Sequence, residues 1–270
     1  MKIFLRTAGT LVLQIFLAAP ARADGPATHP PGRIAVSEDG NRHDHDDICA
    51  GPMIMAILSK SGRAPDVVYY GFNDHYWSTR GSLQSEMFTS VNETPKYWSG
   101  FDPAAFIGVR NHQAEAFAAL TDAINQSSAT DPLTIIEAGP AQVIGIALAR
   151  SNPAARPFVT VISHSPDNDT HATTKGPGEG LAAPRYNFAA LGVMGAQLVH
   201  IQDQNPGLNR PYDEFRWLRD STDPKLHWLW DRGQAAGKST FDCSDAGMAY
   251  FFVTGDPACT PGKLRTFFDQ

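Results

Sequence analysis

Ten consecutive residues, "EDGNRHDHDD" at 38–47, hold five carboxylates and two histidines between the apolar runs "RIAV" and "ICAGPMIMAIL". Asp39, Asp44, Asp46 and Asp47, crowded into one turn, repel one another, and partial protonation or a bound cation is the usual relief. Hard oxygen donors without a cysteine among them favour calcium or magnesium over zinc. His43 and His45 also leave a transition-metal site open. Taken singly, Asp46 or Asp47 reads instead as a cap that stabilises the positive end of the following helix.

A cluster of this kind needs a frame. Short runs rich in β-branched or aromatic residues read as strands at 33–37, 66–72, 105–110, 133–138, 158–164 and 197–201. Apolar residues at three- and four-residue spacing predict helices over 48–60, 112–127 and 140–150. Strands buried on both faces and joined by helical crossovers give an α/β class: one domain, with a mostly parallel, Rossmann-like sheet flanked by helices. From about 205 the pattern turns helical and Trp-rich, with Trp217, Trp228 and Trp230 as core packing. In open sheets of this class ligands collect at the carboxyl ends of the strands, and the acidic stretch is the loop after the first strand.

The first residues, "MKIFLRTAGTLVLQIFLAAPARADG", combine Lys2 and Arg6, an apolar run from Leu11 to Ala19 and the small-x-small Ala21-Arg22-Ala23. This is the pattern of a signal peptide over 1–23, with a domain over 24–270 that is periplasmic or secreted. The apolar run is shorter than the roughly 20 residues of a membrane span, and no later segment suits one, so no membrane partner is expected. Without Lys2, Arg6 and Arg22, 19 basic residues face 28 acidic ones, a net charge of −9. Nucleic acid is therefore not expected as a partner either. A homo-oligomer remains open. Of the three cysteines, Cys243 and Cys259 could bridge; three buried thiols acting as small apolar side chains is the other reading.

The residues also carry a family likeness. A first strand ending in Asp, a glycine-containing loop and an Asp-Asp pair opening a helix resembles the nucleoside hydrolase family, whose signature runs roughly D-T-D-P-G-x-D-D-A. Here the loop is longer, with Asp39 eight residues before Asp47, as in divergent nucleoside hydrolase-like branches. "IIEAGPAQVIGIAL" at 135–148 is similar to the family's strand, Gly-Pro turn and helix. "DCSDAGMAYFF" at 242–252 is similar to its C-terminal motif, and Asn73 in "GFNDHYW" stands where the family reaches the sugar.

The resemblance implies a Ca2+ site made by Asp39, Asp47, Asp245 and the Ala138 carbonyl. It also implies Asp39 as acceptor of the water proton and Asp46 and Asn73 as partners of the sugar hydroxyls. The family's ribose-binding segment gives way to "SHSPDNDTHATTKG" at 163–176. There His164 and Asn168 are candidate sugar contacts and His171 a candidate acid for the leaving group, unless the stretch is a polar Asx-type turn. His75, with Tyr76 and Trp77, is a candidate ligand contact or lid packing. The implied activity is calcium-dependent hydrolysis of an N- or O-glycoside of a small sugar or nucleoside. The alternatives are a non-catalytic sugar- or nucleoside-binding protein and a two-metal phosphoesterase using Arg42 for phosphate.

Overall fold

A computed structural model describes residues 31–40, 45–77, 84–174 and 181–270. Arg42, His43 and Asp44, and the proposed signal segment, lie outside the described residues.

Six strands form one sheet: β1 (Arg33–Glu38), β2 (Val67–Phe72), β3 (Phe106–Gly108), β4 (Leu133–Ala138), β5 (Val159–Ser163) and β6 (Gln197–His200). Every pairing is parallel, and the order is β3-β2-β1-β4-β5-β6. All six match the expected strands to within a few residues. The chain runs outward from β1 in one direction and from β4 in the other, so the crevice between β1 and β4 is where this topology receives ligands. Glu38 and Ala138 are register partners at that point.

The helices α1 (Asp47–Lys60), α2 (Gln84–Tyr97), α3 (Gln113–Asn125) and α4 (Gln142–Arg150) follow the strands. α1 is buried from Asp47 to Leu58, apolar on all sides, and so must have cover all round. The sheet covers one side. The C-terminal helices α9 (Pro224–Ala235) and α10 (Ala246–Thr254), together with α2, cover the rest. This makes one apolar cluster, against which Trp217, Trp228 and Trp230 pack as expected. α3, α4 and α6 (Phe188–Val193) build the second cluster on the opposite sheet face.

Pro52 lies inside α1, where a proline removes the N–H that would reach the carbonyl of Ile48. Ser90 Oγ on α2 donates to that carbonyl at 2.6 Å, and Arg232 Nε on α9 donates to Ser90 Oγ at 2.9 Å. The missing helix bond thus becomes a junction of three helices.

Several elements depart from the sequence reading. α2 is not among the expected helices: its sequence is largely polar, and its buried positions Met87, Ser90, Val91 and Thr94 mix apolar with hydroxyl side chains. A short antiparallel ribbon pairs β7 (Asn209–Arg210) with β8 (Phe241–Asp242), and residues 166–174, for which a polar Asx-type turn is the alternative to a ligand-contacting role, form helix α5 (Pro166–Thr174). The remaining helices are α7 (Asn205–Leu208), α8 (Arg216–Arg219) and α11 (Pro261–Asp269). Cys49, Cys243 and Cys259 are all free and buried, so the Cys243–Cys259 bridge is absent and the small-apolar reading describes them here.

Candidate functional site

β1 ends in two acids. The Asp39 N–H donates both to the Ala138 carbonyl, at 3.2 Å, and to Asp47 Oδ2, at 3.0 Å, which ties the β1 end, the β4 end and the start of α1 together. The Asp39 carboxyl lies close enough to Asp47 to disfavour ionisation of both at once. Burial, then the nearby charges of Asp245, Asp39 and Glu38, raise the Asp47 pKa well above the carboxylate range.

Glu38 is completely buried beneath α1, where Gly51 makes room: a Cβ there would stand 2.1 Å from Glu38 Oε1. Tyr70 donates its hydroxyl to Oε2, while Oε1 has no hydrogen-bond partner among the described residues. Burial raises the Glu38 pKa against the lowering effect of Tyr70, and the Asp245 and Asp74 charges add to the rise.

The turn after β2 supplies Asn73 and Asp74. Asn73 is in the left-handed region, at φ 55°, and its fully buried amide has no partner among the described residues. Such conformations in non-glycine residues concentrate at functional sites. Asp74 Oδ2 accepts from Ser37 Oγ at 2.6 Å, and burial pushes its pKa up to about 7. Gly139, after β4, must lack a side chain because a Cβ would fall 2.6 Å from Asp74 Oδ1 and 2.9 Å from Asp39 N. Glu137, on β4, is wholly buried with both oxygens unpartnered among the described residues, and burial, then Asp169 and Asp74, hold its pKa well up.

Asp245 stands at the start of α10 but makes no cap bond. Its Oδ1 accepts from His164 Nε2 at 2.7 Å and from Asn168 Nδ2 at 3.4 Å. His164 Nδ1 accepts the Gln204 N–H at 3.2 Å, which places the ring proton on Nε2. Burial alone would lower the His164 pKa, but the Asp245 hydrogen bond and charge outweigh it and the net shift is upward.

Asp39, Asp47, Ala138, Asp245, His164 and Asn168 are therefore brought together. His75 and His171 form a second group beside them: their rings meet edge-on at 4.7 Å, under Trp77, which lies 4.1 Å from His75. A cavity of about 500 Å³ opens beyond, lined by Tyr76, Trp77, Gln142, Arg150, Pro184 and Tyr186. Asp46 departs from the cap reading. It makes no cap bond, and its Oδ1 faces Lys238 Nζ at 3.4 Å, on the side where Lys238 also pairs with Asp242 at 2.8 Å.

Glu38, Asp74 and Glu137 were not singled out from sequence. Glu137 had a readable signal, an acid within the otherwise apolar strand "LTIIEA". Glu38 had a weaker one, being the acid that closes a buried strand, and Asp74, in the turn after β2, had none.

The donor set is one of hard oxygens, and the orphaned buried atoms of Glu38, Asp74 and Glu137 suit a cation. Among the described residues no group of three or more His, Cys, Asp or Glu is already disposed to hold a metal ion.

Compared with known proteins, the chain is 33% identical over 246 residues to the "Uncharacterized protein P22" of Formosa agariphila, spanning 85% of this chain and 86% of that one. The chain belongs to that protein's family. No family model and no solved structure matches it. Both members of the aligned pair are thus of similar extent, and the alignment is long enough to include most of the sheet that carries the acidic site.

Proposed function

We propose that this protein is an exported, calcium-dependent hydrolase of glycosidic bonds, on the nucleoside hydrolase-like pattern. One observation carries the reading: acids from β1, β4, the turn after β2 and two helix starts are buried near the switch point of a doubly wound sheet. Burying that many carboxylates without a counter-ion costs several kcal/mol each unless they take up protons or a cation.

Asp39, Asp47 and Asp245, with the Ala138 carbonyl, would hold Ca2+. When bound, the ion lowers the pKa of a water and orients sugar hydroxyls. The chain's own residues supply the rest. Asp39, with its backbone fixed to β4 and to Asp47, accepts the proton of the attacking water. His164, oriented by Gln204, spends its ring N–H on Asp245 and so holds that carboxylate in place, while Asn168 directs its amide toward the same carboxylate. Asn73 offers a sugar hydroxyl a buried amide that has no partner among the described residues. His75 and His171 stand on the path to the aromatic cavity, where a leaving group would depart.

The test is hydrolysis of a p-nitrophenyl pentoside or hexoside with calcium present. Asp39→Asn is expected to abolish release of nitrophenol, and His171→Ala to slow it by on the order of 10²-fold. No release by the wild-type chain, folded and calcium-bound, would refute catalysis. A binding protein on the same fold is favoured by one specific observation, the engagement of Asp245 by His164, which leaves fewer groups poised over a reacting atom. The phosphoesterase reading gains no support from Lys238, whose ammonium is taken up by Asp46 and Asp242.

A further inference from the structure

The cavity beside Trp77 runs along one face of α4. Gln142 and Arg150, the first and last residues of that helix, both line it, with Ile146 between them. The helix rises about 12 Å from one to the other at about 1.5 Å per residue. Gln142 belongs to the end that follows β4 and its Ala138, so Arg150 lies at the end away from the acids. A space of about 500 Å³ is within the range of sites for small organic ligands.

The wall formed by residues 181–186 is fastened in place. Gln142, 1% exposed, donates from Nε2 to the Pro184 carbonyl at 3.0 Å, and its Oε1 accepts the Tyr186 N–H at 2.9 Å. Arg185 closes the same turn on itself, donating to the Leu181 carbonyl from Nη2 at 2.9 Å and from Nε at 3.1 Å. Gly145 lets the Tyr186 ring lie on the helix, because a Cβ there would stand 2.2 Å from Tyr186 Cγ. Tyr76 and Trp77 meet edge-on at 5.3 Å and complete the aromatic lining, and Trp77 joins it to His75.

Arg150 is the one charged residue among the described residues that line this space. Its guanidinium lies over the Phe117 ring at 5.1 Å and makes no hydrogen bond or ion pair among the described residues. The chain holds 28 acidic residues against 22 basic ones, so an arginine kept clear of them at the mouth of an aromatic cavity has its donors available to a ligand. Aromatic faces take the flat or apolar face of a ring, and the planar guanidinium fork matches a carboxylate.

We propose that this cavity is a subsite for a ring carrying a carboxylate, the ring against Tyr76, Trp77 and Tyr186 and the carboxylate on Arg150. A uronic sugar and an aryl acid share this chemistry. The role of the subsite in turnover, as the leaving-group side, rests on the hydrolase reading; binding of the ring does not.

The test is calorimetric titration of the full chain at neutral pH with calcium present, using two matched pairs of probes: methyl glucuronide with methyl glucoside, and benzoate with benzyl alcohol. At least one acid should bind more tightly than its neutral partner, by about fivefold or more for a partly exposed ion pair. The acid that shows the preference identifies the source of the ring. Arg150→Gln should abolish the preference, with neutral binding and Tm unchanged. Tyr186→Leu keeps apolar cover on Gly145 but removes the flat ring, and should weaken acid and neutral probes alike. Equal affinity for acid and neutral partners, no binding of either acid, or a preference that survives Arg150→Gln would each overturn the subsite. Acid preference without nitrophenol release would refute catalysis and leave the subsite standing, and release without acid preference would do the reverse.

Discussion

Asp245 concentrates the chemistry of the site in one carboxylate. It is held by His164 at 2.7 Å and bears on Asp47, Glu38, Asp74 and Glu137 through charge. Asp245→Asn keeps the acceptor for His164 and removes that charge. The apo protein should therefore stay folded, with an equal or higher Tm, while calcium affinity falls by on the order of 10-fold or more. Thermal melts with calcium and with chelator check both halves. A variant that unfolds without metal would make Asp245 a folding residue and remove it from the cation site. The residue scale is also where sequence reading was weakest. Asp39, Asp47 and Asp245 carry a linear pattern, whereas Glu38 and Glu137 owe their state to complete burial, which only the packing of α1 and the neighbouring strands creates.

At the scale of elements, the three-helix junction around Ser90 makes a sharp stability prediction. Ser90→Ala leaves the Ile48 carbonyl, freed by Pro52, buried without its donor and deprives Arg232 Nε of its acceptor. It should cost about 1–3 kcal/mol in chemical denaturation. Adding Pro52→Ala restores a helix N–H at that carbonyl, so the double variant should recover a good part of the loss. If Ser90→Ala is neutral, or if Pro52→Ala deepens the loss, the junction does not work as described.

The strands were legible because each is a short run rich in β-branched or aromatic residues with turn residues near its ends, and all but the edge strand β6 are largely buried. α1 was legible because its apolar run is too long for a strand. α2 was not, since its buried faces are set by α1 and α9 rather than by a clean period, and α5 was hidden behind turn-forming residues that instead begin a helix at Pro166. Asp46 illustrates the same limit: its place before a helix suggested a cap, but Lys238, nearly two hundred residues away, draws the side chain elsewhere.

Over the whole molecule, the buried acids make folding stability depend on pH in an unusual direction. Glu38, Asp47, Asp74 and Glu137 all have folded-state pKa values above their ordinary ones, with Asp74 at about 7. Between the unfolded pKa of a carboxylate, about 4, and these folded values, the native state binds more protons than the unfolded chain. Stability must then fall as pH rises through that window. Asp74 alone, moving from 3.8 to about 7, corresponds to a loss of the order of 4 kcal/mol. The apo protein should accordingly have its highest Tm near about pH 5 and a clearly lower one near about pH 8, opposite to the usual effect of ion-paired carboxylates. On the proposed reading calcium would bind the deprotonated acids, so a saturating concentration should restore Tm most at the alkaline end and flatten the profile. Melting curves across this range, with chelator and with calcium, give the answer: a Tm that rises with pH in chelator would show that these carboxyl groups do not carry their protons into the fold, and a calcium effect of equal size at both ends would show that the ion binds elsewhere.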